Sequence, residues 1–91
     1  MRYLAWIRSL PCAICGDRST AHHVRHYGER KDDRRAIPLC ARHHLYDFGP
    51  ESIERLGKRK FQTRFGIDLE ALIERLNAAW DFLRKQARTE G

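Results

Sequence analysis

Two short words built from metal-binding residues bracket the first half of the chain: Cys12-Ala-Ile-Cys15 and Cys40-Ala-Arg-His43, the second followed at once by His44. Each offers two donors three positions apart, and 24 residues separate the words. Thiolate sulfur and imidazole nitrogen in such a set are the ligands of a closed, tetrahedral structural zinc site. Three unrelated cysteines and a surface histidine would need two coincident spacings to imitate it. The outer four residues, Cys12, Cys15, Cys40 and His43, are therefore expected to hold a structural zinc ion, and its binding should be coupled to folding.

A metal brace suits the size of the chain. Ninety-one residues make a single expected domain, close to the length below which a hydrophobic core needs help. With 42% hydrophobic and 33% charged residues, the composition is that of a folded globule rather than a disordered polyelectrolyte. Three cysteines are an odd number, and the start, Met1 to Arg8, has too short an apolar run for a signal peptide. Reduced thiols and a cytoplasmic location are expected. No stretch approaches the roughly 20 apolar residues of a membrane span. The net charge of +6 is the electrostatic footprint of a nucleic-acid partner, although charge alone is weak evidence.

Along the chain, Tyr3, Leu4, Trp6, Ile7 and Leu10 predict a short amphipathic helix ending before Pro11. Cys12 to Gly16 reads as a zinc knuckle, with Gly16 permitting the turn. Ser19 to Arg25 and Ala36 to Leu39 predict an antiparallel strand pair, Pro38 marking an edge or a strand end. The charged run from Tyr27 to Arg35 joins them as a solvated loop, in which Lys31, Arg34 and Arg35 are candidates to track phosphates. Cys40 to about Phe48 predicts a helix stopped by Gly49-Pro50. Glu51 to Phe65 reads as one or two short helices broken near Gly57, with Gly66 as a C-terminal cap. Asp68 then caps the longest helix, whose Leu69, Leu72, Ile73, Leu76, Trp80, Leu83 and Ala87 form one apolar stripe.

All five histidines fall between positions 22 and 44, more than one zinc can use. On a helix, His44 is turned by about 100° from His43 and faces away from the zinc. It is positioned to meet His22 or His23, whose side chains diverge if they are strand neighbours. One imidazole can then bind a metal while the other, neutral near pH 7, accepts a proton from water. A metal at such a place would serve as the Lewis acid that phosphodiester cleavage needs. The plainer reading makes His22 or His23 an alternative zinc ligand or a hydrogen-bonded hairpin residue. His26 reads as a loop residue.

Taken in order, Cys12 to Cys15, Ala21-His22-His23, Asp32-Asp33 and Pro38 to His44 resemble the HNH, or ββα-metal, endonucleases, particularly phage-type nucleases and recombination-enhancement nucleases. The likeness is densest over residues 2 to about 50. The tail through Phe61, Phe65 to Leu69 and Trp80 is also similar to such phage proteins. The resemblance implies an α+β fold: a small zinc-braced ββα-metal, treble-clef-like unit (about 12–48) with an N-terminal helix and a C-terminal helical extension (about 51–88). It implies a metal-dependent DNA endonuclease, in the host-cell cytoplasm if the chain is phage-encoded, with His22 and His44 as ligands of a second, catalytic divalent metal and His23 as general base. Asp33 would stand where the family has its middle Asn, orienting the base. Many relatives carry another histidine four positions after the one matching His44; here that position is Phe48, and Asp47 is the candidate oxygen ligand. Two imidazoles with oxygen ligands suit Mg, Mn, Ni or Zn. The competing readings are a non-catalytic zinc-binding module that grips DNA or a protein, and an accessory protein docking through the helix from Leu69 to Ala87.

Overall fold

The computed structural model describes residues 2–25 and 29–90, the last three by their backbone alone. Its elements are α1 (Tyr3–Ser9), β1 (Thr20–His23), β2 (Ala36–Leu39), α2 (Ala41–His44), α3 (Ile53–Phe65) and α4 (Leu69–Glu90), with 3-10 turns at Asp33–Arg35 and Tyr46–Phe48. The loop expected at His26, Tyr27 and Gly28 lies outside the described residues. What results is a small α+β architecture in which helices cover a two-stranded antiparallel sheet. Among the described residues no helix is long and apolar enough to cross a membrane.

The register pairs Thr20 with Leu39, Ala21 with Pro38, His22 with Ile37 and His23 with Ala36. Directly paired residues share a face, so the hairpin sorts its side chains cleanly. Ala21 and Ala36 face α1 and the middle of α4, where Tyr3, Ile7 and Trp80 form one apolar cluster. Ile37 and Leu39 face the other way, into a second cluster with Cys12, Val24, Cys40, Ile53, Phe61, Leu69 and Ile73. With both faces covered, β2 is buried at every position, which is why it reads as a continuous apolar run rather than an alternating one. The Pro38 carbonyl accepts a hydrogen bond from Ala13 N–H at 2.9 Å, tying the Cys12 turn to the side of β2 away from β1.

Around the first cluster three rings interlock: Tyr3 with Trp6, Tyr3 edge-on to Trp80, and Trp6 with Trp80, their centroids 5.3–5.6 Å apart. The N-terminal helix therefore covers the hairpin and α4 rather than the cysteine cluster. Arg34 and Arg35 fasten α4 to the hairpin. Arg34 donates to Asn77 at 2.8 Å and Asp81 at 2.9 Å and lies over the Tyr3 ring. Arg35 donates to the Val24 carbonyl at 3.0 Å and to Glu70 at 2.6 Å.

Helix α3 starts where the Ser52 side chain accepts a bond from Arg55 N–H. At Gly57 it breaks, with φ 80 and ψ 163, a region essentially closed to residues with a Cβ. Gly66 ends it in the left-handed conformation, φ 61 and ψ 36. Asp68 then accepts from Ala71 N–H at 3.1 Å and starts α4.

Two expectations need correction. The helix after Cys40 stops at His44, because Leu45 is extended and Tyr46 N–H bonds to the Glu54 carboxylate instead of continuing the helical ladder. The stripe on α4 is also shorter than its periodicity implies. Leu69, Ile73 and Trp80 are buried, but Leu83 and Ala87 are exposed, since the last turns run past the described residues that the helix packs against.

Candidate functional site

The Cys12 turn and the start of α2 bring four donors together. Cys12, Cys15, Cys40 and His43 place one ligand atom each within 4.8 Å of one another, and they are the one such group of three or more among the described residues. Cys15 Sγ lies 3.6 Å from Cys40 Sγ, while His43 Nδ1 lies 3.2 Å from Cys40 Sγ and 3.8 Å from Cys12 Sγ. Tetrahedral ligands at the usual zinc bond lengths stand about 3.5–3.8 Å apart, so the donor set fits zinc in both chemistry and spacing.

Local structure explains the convergence. Gly16, with φ +81, lets the chain turn so that its N–H reaches the Cys12 carbonyl at 2.9 Å, and Ile14 N–H points at Cys12 Sγ at 3.4 Å. Cys40 is the N-cap of α2, which carries His43 around to face it. The Phe65 ring packs edge-on against His43, 5.2 Å between centroids, and fixes the imidazole plane. Electrostatics point the same way. At Cys12 burial opposes ionisation, but hydrogen bonds from the backbone of Cys15, Cys40 and Ile14 outweigh it and bring the thiol below its usual range. At Cys15 the Asp17 backbone favours the thiolate, yet burial and the crowding of Cys40 and Cys12 prevail and push it up to about 11. Neighbouring thiolates repel unless a cation sits among them, and zinc would be that cation.

His44, next along α2, turns away from the sulfurs toward the hairpin. Its ring meets His22 edge-on with centroids 4.8 Å apart. Its Nδ1 lies 2.6 Å from the hydroxyl of Thr20, which itself donates to the Leu39 carbonyl at 2.8 Å. Thr20 and His22 occupy one face of β1, two residues apart. Burial first, then His44, depresses the conjugate acid of His22 to about 4; burial also lowers that of His44. Both rings are neutral at pH 7 and have lone pairs to offer.

His23, the last residue of β1, faces the opposite side of the strand yet borders the same space. Its Nε2 lies 2.9 Å from Asp33 Oδ1. The two are brought together by the 3-10 turn at Asp33–Arg35, which the Asp32 side chain caps by accepting from Arg34 N–H. An open cleft of about 370 Å³ is lined by Ala21, His22, His23, Arg25, Lys31, His44 and Glu54.

Of the three cations expected to track phosphates, Lys31 lines this cleft, whereas Arg34 and Arg35 are committed to bonds within the chain. Asp47 is exposed in its 3-10 turn and does not line the cleft; the carboxylate there belongs to Glu54. Sequence reasoning missed Arg25, Thr20 and Glu54. Thr20 had a usable signal, since it lies two residues from His22 on the strand; Arg25 follows His23 by two residues but lies past the strand's end. Glu54 had none, because an acidic residue in the first turn of a helix already has a reason to be there.

The molecule is thus a small α+β protein with a Cys3His cluster able to hold a metal ion such as zinc. A family model described as "Protein of unknown function (DUF968)" matches residues 1–82, and the chain belongs to that family. No curated protein and no solved structure matches it.

Proposed function

We propose that the chain is a metal-dependent DNA endonuclease of the HNH, ββα-metal kind, braced by zinc at Cys12, Cys15, Cys40 and His43. The observation that carries this reading is the joint bordering of one cleft by the His22–His44 pair and the His23–Asp33 pair. A divalent ion held by His22 and His44 would supply Lewis-acid stabilisation of the charge that builds on the phosphoryl and departing oxygens.

The protein's own groups do the rest. With Asp33 accepting the Nε2 proton of His23, the ring presents Nδ1 as an acceptor, the tautomer a general base requires. His23 takes a proton from water as the water oxygen bonds to phosphorus; the P–O3′ bond breaks with its electron pair going to O3′, which takes a proton from a solvent water, leaving 5′-phosphate and 3′-hydroxyl ends. Lys31 and Arg25 flank the cleft as cations for the DNA backbone.

The test is an assay of zinc-loaded protein on supercoiled, linear and single-stranded DNA with Mg, Mn or Ni. Nicking is expected, and His23→Ala should lower its rate by at least about 100-fold with zinc content and circular dichroism unchanged. Cleavage surviving that change removes His23 as the base.

A second reading, a non-catalytic zinc module that grips DNA or a protein, is favoured by the tight convergence of the Cys3His donors, which no other described group equals. One bound zinc with no nicking under any of these metals would decide for it.

A further inference from the structure

We infer that Glu54 is the oxygen ligand of the divalent ion at His22 and His44, an inference that rests on the site proposed above. Hydrogen-bond accounting leads to it. The Thr20 hydroxyl has one proton and gives it to the Leu39 carbonyl, so toward His44 Nδ1 the Thr20 oxygen accepts. The His44 proton therefore sits on Nδ1, and Nε2 presents a lone pair.

That lone pair faces Glu54 Oε2 at 3.7 Å. Two acceptors without a proton between them repel, and 3.7 Å is too long for a hydrogen bond in any case. It does suit two atoms bound to one cation. Ligands about 2.1 Å from a shared ion stand roughly 3.0 to 4.2 Å apart, from a right angle to a straight line.

The other oxygen of Glu54 is already anchored. Oε1 accepts from Tyr46 N–H at 3.0 Å, so the carboxylate holds a fixed direction with Oε2 toward the cleft. Tyr46 is held in turn by Arg55, whose Nε donates to the Tyr46 carbonyl at 2.7 Å and whose guanidinium lies over the ring at 4.3 Å. A ligand whose second oxygen is hydrogen-bonded to backbone is the usual form of outer support at metal sites. Glu54 and His44 already stand at the spacing of two ligands of one ion, whereas His22, Glu54 and His44 are not gathered as closely as the Cys3His donors, so binding would draw the third ligand in.

The experiment is a titration of zinc-loaded protein with Mn2+, free Mn2+ being read by electron paramagnetic resonance, on wild type, Glu54→Gln and Asp47→Asn. Gln keeps an acceptor for Tyr46 N–H while removing the charge. Wild type should bind one Mn2+ beyond the zinc, Glu54→Gln should bind it at least about 10-fold more weakly, and Asp47→Asn should match wild type. Equal affinity for wild type and Glu54→Gln overturns the role of Glu54 and leaves the His22–His44 site standing. A wild type that binds no Mn2+ overturns that site and Glu54 with it. Should Glu54→Gln lose its zinc, the same titration is run on Glu54→Asp, which keeps the charge but shortens the reach of the carboxylate: weakened Mn2+ binding supports Glu54, and wild-type affinity overturns it.

Discussion

His22 lies against His44 with its conjugate acid depressed to about 4, chiefly by burial. In the unfolded chain the same group titrates near 6.5. The folded protein therefore binds fewer protons than the unfolded one between these values. The stability that neutral His22 contributes is fully present above pH 6.5 and is lost as the pH falls toward 4. At most this amounts to about 3 kcal/mol. Urea unfolding of wild type and His22→Gln at pH 7 and pH 5 should show wild type losing the greater stability on acidification, and parallel losses would contradict the assignment. The same residue marks how far single positions could be read from the chain. Cys12, Cys15, Cys40 and His43 were legible because each pair converges through a turn or helix whose geometry is local. The meeting of His22 with His44, rather than with His43, follows from helix rotation and strand alternation. The bond of Tyr46 to Glu54 belongs to tertiary packing and leaves no periodic trace.

The elements were foreseen where sequence punctuation is strong: Pro11, Gly66 and Asp68 end or begin helices as their chemistry dictates. Helix α2 was overextended because Gly49-Pro50 is the nearest breaker in the sequence, while the actual break comes from Tyr46 bonding to Glu54. Gly57 is the element-level feature with the clearest energetic consequence. It separates the turn bearing Glu54 from the segment bearing Phe61, and its backbone lies where L-residues are strained. A Cβ there would meet nothing within 4 Å, so the cost of Gly57→Ala is conformational alone, about 1–3 kcal/mol. Thermal melts should place the variant below wild type by several degrees. An unchanged melting temperature would mean that the break at Gly57 is not maintained in solution. Arg34 and Arg35 carry a similar lesson, since a charged run in sequence reads as solvated loop until α4 arrives to supply Asn77, Asp81 and Glu70.

At the scale of the molecule, the two apolar clusters meet at the hairpin and at Leu76 of α4, and the larger one includes two of the cysteines. Zinc would thus be part of the core rather than an appendage. Removing it with a chelator under reducing conditions should destabilise the whole chain by more than about 4 kcal/mol, followed by circular dichroism and restored by stoichiometric zinc. A chelated protein that melts as before would show that the apolar clusters suffice. The bond from Ala13 to the Pro38 carbonyl has a further consequence for how copies of the chain meet. A two-stranded sheet leaves an outer row of donors and acceptors on each strand, a template for strand addition and aggregation. On β2 proline removes a donor and the cysteine turn occupies the carbonyl. The knuckle that gathers the metal ligands also occupies that side of the sheet, where a neighbouring strand would otherwise add.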